Sequence, residues 1–237
     1  MSVDIALIDS GINARHSHVG WLTGGVAFHT EPDSTVREDC DVHDSIGHGT
    51  AIAGIIREQV PEARIYALKI FHRDLWAPVV SLASALKWAI DRNIKIIHLS
   101  LGAEKDKGGE RLAGLCREAY ERNLVVVAAA RSPHDLVCPS SFDTVIGVYW
   151  NRTCTPHGLI YHPDGPVEFG ACGFPRELPG VPPEFNFRGS SFAAAYVTAR
   201  AAQRVEKEPT AGVRWVRKEL IEAATKVPST TSQKNQV

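Results

Sequence analysis

Cysteine is scarce and unpatterned here: five residues in 237, an odd count, with no CxxC pair. That usage suits free thiols in a reducing compartment rather than a disulfide framework. Neither charge is in surplus, with 26 Lys+Arg against 27 Asp+Glu. Composition therefore points to neither nucleic acid nor an anionic membrane as partner. Long hydrophobic runs are missing as well. The longest, Leu124 to Ala130, is seven residues, whereas a membrane span needs about 20. The opening MSVDIALIDS has no basic n-region and no long apolar h-region, so a secretory signal is not expected and a cytoplasmic setting is. Repeats are absent, and low complexity is confined to the polar stretch 229–237, which is expected to be a flexible tail. Residues 1–228 are expected to form one domain.

What remains is an alternation of short apolar segments with longer amphipathic ones. Strands are expected at Val3–Ile8, Ile65–Ile70, Ile94–Leu99, Leu124–Ala129 and Val145–Val148. Helical spacing appears in Leu82, Leu86, Ala89 and Ile90, again in Leu112, Leu115, Cys116 and Ala119, then in an alanine-rich stretch from Ser191 and a last helix around Val216 and Leu220. Strand and helix in this order imply an α/β fold whose mostly parallel central sheet is covered on both faces. In such folds chemistry collects where loops leave the carboxyl ends of strands. Asp9 and Ser100 stand at two such ends.

Three short segments carry residue types that do chemistry. Ile8-Asp9-Ser10-Gly11 places a carboxylate at a strand terminus. Gly47-His48-Gly49-Thr50-Ala51-Ile52-Ala53-Gly54 sets a histidine between glycines. Gly189-Ser190-Ser191-Phe192-Ala193-Ala194-Ala195 opens a helix of small residues with serine. Taken singly, each has an ordinary explanation: a turn residue, an exposed imidazole, an N-cap. Together they form a set with one use. A serine hydroxyl becomes a nucleophile only when an imidazole takes its proton, and the imidazole needs a carboxylate to fix its tautomer and stabilise its charged form. A serine at a helix N-terminus also lies among backbone N–H groups suited to an oxyanion.

On these segments the chain resembles the subtilisin-like serine peptidases. Asp9-Ser10-Gly11 matches that family's aspartate motif, and His48 through Gly54 matches its His-Gly-Thr-x-x-Ala-Gly motif. Gly189-Ser190-Ser191 through Ala195 is similar to its serine motif, with serine for threonine and alanine for the closing proline. The resemblance implies a three-layer α/β fold in which Asp9 orients, His48 is the general base and then acid, and Ser191 attacks, with Ser190 and His43 the rivals. It implies that Ser100, Leu101 and Gly102 line one wall of the substrate cleft and Ala128, Ala129 and Ala130 the other. Val137 and Cys138 are expected at the floor, and a small or apolar residue at P1. The family's oxyanion asparagine is missing from Ala130-Arg131-Ser132-Pro133, which leaves Ser132, Arg131 or neither as the second donor. Residues 54–63 leave no room for the calcium loop of many relatives. No metal or cofactor is implied: His16 and His18 lack further ligands nearby. No prodomain is expected before Asp9. The implied activity is an endopeptidase acting on peptides or proteins through an acyl-enzyme. Compactness and the missing export signal add the expectation of a dedicated processing role such as leader removal. The alternative is a subtilisin-like protein that binds peptides with little or no cleavage.

Overall fold

The computed structural model describes residues 2–102 and 108–227. In chain order its strands are β1 (Asp4–Asp9), β2 (Gly24–Thr30), β3 (Val36–Asp39), β4 (Arg64–Lys69), β5 (Ile96–Leu99), β6 (Val125–Ala130), β7 (Ile146–Trp150), β8 (Leu159–Tyr161), β9 (Phe169–Ala171) and β10 (Thr225–Lys226). The helices are α1 (His48–Gln59), α2 (Val79–Asp91), α3 (Gly109–Glu121), α4 (Ser190–Lys207) and α5 (Val213–Ala223). The expected tail at 229–237 lies outside the described residues.

All ten strands join one sheet in the order β10-β8-β9-β7-β6-β5-β1-β4-β2-β3. Pairing is parallel throughout except for β2 with β3 and β8 with β9. The expected α/β architecture with a mostly parallel sheet is present. The antiparallel β2–β3 hairpin is an addition. The short segment Val36–Asp39 has three charged residues of four and gave no strand pattern in the sequence. The direction of winding reverses at β1, which has β4 on one side and β5 on the other. Such a reversal opens a crevice beyond the carboxyl ends of the strands.

The two-residue period of a strand decides which core each side chain joins. Ile5 and Leu7 enter one apolar cluster with Ile52 and Ile55 of α1 and Ala194 and Val197 of α4. Ala6 and Ile8 enter the other, with Leu82 and Leu86 of α2 and Leu112 and Cys116 of α3. In β6 the same rule sends Val125, Val127 and Ala129 to the α1/α4 face and Val126 and Ala128 to the α2/α3 face. Helix α4 lies deep because its side chains are small: Ala193, Ala194, Ala195, Ala199, Ala201 and Ala202 are fully buried. By the same parity Asp9, two residues beyond Leu7, faces α1 and α4.

Candidate active site

Asp9 ends β1 and is fully buried. His48 is the first residue of α1, and its Nδ1 lies 2.8 and 2.9 Å from the two carboxylate oxygens of Asp9. Such closeness demands a missing side chain. A Cβ on Gly49 would stand 2.2 Å from the Gly11 carbonyl oxygen and 3.1 Å from Asp9 Oδ1, so only glycine lets the first turn of α1 rest on the end of β1. With Asp9 ionised, the contact makes Nδ1–H the donor and leaves Nε2 as an acceptor.

Burial opposes ionisation of Asp9. The His48 charge and hydrogen bonds from His48, Ser100 and Ser10 outweigh it, holding the carboxyl below its ordinary range. For His48 burial again opposes the charged form, yet Asp9, with a smaller pull from Asp44, lifts the imidazole above its ordinary value. Phe192 and Phe187 flank the ring, with centroids at 5.1 and 5.8 Å.

Asp44 escaped the sequence reading. It is buried and accepts hydrogen bonds from the backbone of Gly47 and Thr50 and from the Thr50 hydroxyl, at 2.7–2.9 Å, so it secures the amino end of α1 and with it His48. An acid four residues before His48, at the mouth of a helix, was the available signal.

Ser191 stands in the first turn of α4, and the next residue, Phe192, is the one packed on His48. Its Oγ donates to the Ser100 carbonyl oxygen at 2.9 Å. The rivals are placed otherwise. Ser190 Oγ accepts the backbone N–H of Trp150 at 3.1 Å, which ties α4 to the end of β7. His43 is exposed, and its carbonyl oxygen accepts from Lys69.

Beside Ser191 lies a cleft of about 410 Å³, with Ser100, Leu101 and Gly102 on one wall, Ala129, Ala130 and Arg131 on the other, and Asp135 and Val137 closing it. Gly102 is required here, since a Cβ would come within 2.0 Å of Val137 Cγ1. Two expectations need correction. Ala128 points to the α2/α3 core by strand parity and does not line the cleft. Cys138 is likewise fully buried in that core instead of forming the floor. Ser132 is not among the lining residues; its carbonyl oxygen accepts the Asp135 N–H at 3.2 Å. Asp135, not expected in the cleft, belongs to its lining. Its two oxygens accept from Arg131 Nε, Arg131 Nη2, and the backbone N–H of Arg131 and Val137, at 2.9 to 3.3 Å.

A larger hollow of about 890 Å³, reaching from Gln59 past Cys172 to Tyr196, contains none of Asp9, His48 or Ser191. Among the described residues no group of three or more His, Cys, Asp or Glu gathers to hold a metal ion. No helix of the described residues is long and apolar enough to cross a membrane.

Residues 2–148 match the family described as the subtilase family. The chain belongs to that family. It is a serine protease of the hydrolase class. Subtilisin DY of Bacillus licheniformis is 26% identical over 249 aligned positions, covering 94% of this chain and 84% of that protein. The subtilase fold is shared with a solved lanthipeptide protease at a TM-score of 0.72 and 19% identity, over 96% of this chain and 81% of the other. It is shared too with the nisin leader peptidase of Lactococcus lactis, at 0.71 and 17%, over 95% and 85%.

One buried polar residue of this subtilase lies beneath the site. His98, inside β5, has Nδ1 2.9 Å from Thr198 Oγ1 and Nε2 3.0 Å from Ser100 Oγ. Burial pushes its pKa down to about 4.

Proposed function

We propose that this subtilase is an endopeptidase that cuts through an acyl-enzyme, with Asp9, His48 and Ser191 as its triad. The contact of His48 Nδ1 with both oxygens of Asp9 carries the reading, because it leaves Nε2 as the acceptor a serine nucleophile requires. Ser191 has a single hydroxyl proton, held on the Ser100 carbonyl in this state. Turning that proton from Ser100 to His48 Nε2 starts the reaction. The Ser191 Oγ then bonds to the scissile carbonyl carbon, His48 takes the proton, and Asp9 stabilises the imidazolium. His48 returns the proton to the leaving amine. Water repeats the sequence to release the acid and restore Ser191. The backbone N–H of Ser191, at the amino end of α4, is an oxyanion donor.

We further propose a processing role on a leader-bearing peptide, for which P1 is small or apolar. The four hydrogen bonds on Asp135 occupy its acceptor positions, so that carboxylate is not presented to a basic side chain. The likeness in fold to the nisin leader peptidase supports the processing role. Five free thiols, three of them buried, support a reducing, cytoplasmic setting. A second reading, peptide binding without cleavage, is favoured by the position of Ser132 outside the cleft lining. A serine-directed fluorophosphonate separates the two. Labelling that is lost in Ser191→Ala and His48→Ala supports the protease, and a wild-type protein that stays unlabelled supports the binder.

A further inference from the structure

We propose that His98 is a positioning residue, which bridges Thr198 of α4 and Ser100 beyond β5 and thereby holds the Ser100 carbonyl and Ser191 in register. The inference rests on the triad reading above.

A neutral imidazole has one N–H and one acceptor nitrogen. Burial keeps His98 neutral. Of its two partners, the Thr198 hydroxyl at 2.9 Å and the Ser100 hydroxyl at 3.0 Å, one therefore donates to the ring and the other accepts from it. In either sense the ring joins α4 to the residue whose carbonyl oxygen accepts from Ser191.

The bridge also joins the parts that must be held together. Thr198 lies seven residues beyond Ser191, two turns along the same face of α4. Ser100 has its hydroxyl on His98 and its carbonyl oxygen on Ser191. His98 thus braces the residue on whose carbonyl oxygen the Ser191 proton rests. Stability alone would be served by an apolar side chain, as at Ile96, Ile97 and Leu99, which are fully buried in the same strand. A buried imidazole is retained at a cost unless both nitrogens are partnered, and here both are.

Two measurements test the inference. Nitrogen-15 NMR of the imidazoles, in wild type and in Ser191→Ala, should show His98 as one fixed neutral tautomer at pH 7; a doubly protonated ring or a mixture of tautomers would overturn the bridge. In kinetics, His98→Leu removes donor and acceptor together and should lower kcat by about 10²-fold, the loss typical of a misplaced catalytic group, with KM little changed. His98→Gln keeps one donor and one acceptor and should recover most of the turnover. Wild-type kcat in His98→Leu, or no recovery with glutamine, would refute the positioning role. If the leucine variant does not fold, Thr198→Val takes its place, and it too should lower kcat at constant KM; an unchanged kcat counts against the bridge. Fluorophosphonate labelling of wild type reports on the triad separately, because the tautomer can be read in a protein that cuts nothing.

Discussion

Ser191 Oγ and the Ser100 carbonyl oxygen are 2.9 Å apart, so the only hydroxyl proton of the proposed nucleophile rests on the wall of the cleft beside it. Nucleophile and cleft are in this way one hydrogen-bonded unit, and substitutions at either are expected to act on the other.

Ser191→Ala and His48→Ala should abolish hydrolysis with the fold intact. The loss carried over from subtilisin, where these residues act as a unit, is on the order of 10⁴- to 10⁶-fold in kcat. Ser190→Ala should behave differently. It removes the acceptor of the Trp150 N–H and should destabilise by about 1 kcal/mol while hydrolysis persists. Turnover and thermal melting of the three variants decide the matter. Loss of activity in Ser190→Ala alone would move the nucleophile by one residue.

The pH profile has a definite sign. His48 must be neutral to accept a proton, and Asp9 raises its pKa. kcat/KM should therefore fall on acidification with a midpoint above the ordinary imidazole value of about 6.5, not at it. Stability responds in the opposite sense at this residue: the charged pair contributes fully below the unfolded-state pKa, and its contribution is lost as pH rises through the folded-state value. His98 behaves in reverse. Its folded pKa of about 4 lies below the unfolded one, so the unfolded chain binds the proton first and stability declines as pH falls across that interval. Rate profiles and melting curves on one pH series test both, and Asn at position 9 should move the kinetic midpoint down.

Cleavage should favour small or apolar P1 residues over Lys and Arg. Arg131 lies at the rim with its side chain 79% exposed, while Asp135 beneath it is 7% exposed. Arg131→Ala uncovers that carboxylate and should raise kcat/KM for a lysine at P1 by about tenfold, or about 1.4 kcal/mol. A peptide library assayed on both proteins is the check. Wild-type preference for basic P1 would contradict the saturated state of Asp135.

Ser132→Ala should leave turnover near wild type, and Ser132→Asn should bring no gain, because this residue does not line the cleft. Loss of a true oxyanion donor costs about 2.7 to 4 kcal/mol, a magnitude that comes from subtilisin's own asparagine. A fall of that size in single-turnover acylation of Ser132→Ala would restore it to the oxyanion hole.

The fold was readable because parallel strands buried on both faces write themselves as apolar runs, and Val125–Ala130 is one. The same feature concealed the cleft. In an unbroken run of apolar residues no polar alternation announces parity, so Ala128 and Ala129 look alike although they face opposite cores. Glycines betrayed the approach of α1 to β1, since Gly49 beside a histidine has few other uses. His98 was also visible, as the one polar side chain inside Ile96–Leu99, but its partner Thr198 lies 100 residues away and no local pattern links them. Arg131 and Asp135 are four apart, and their pairing needed the loop's shape to be seen.

Helix α4 threads the middle of the molecule, yet it is among the last segments in the chain. Strands β1, β4, β5, β6 and β7 all precede it, and so do Asp9 and His48. As synthesis proceeds from the amino end, Asp9 and His48 are made long before Ser191, the nucleophile proposed for α4. A nascent chain that has not reached Ser191 holds a carboxylate and an imidazole without the proposed nucleophile. The proposed triad is thus complete only once α4 has been made, and copies that stop short of it are expected to cut nothing.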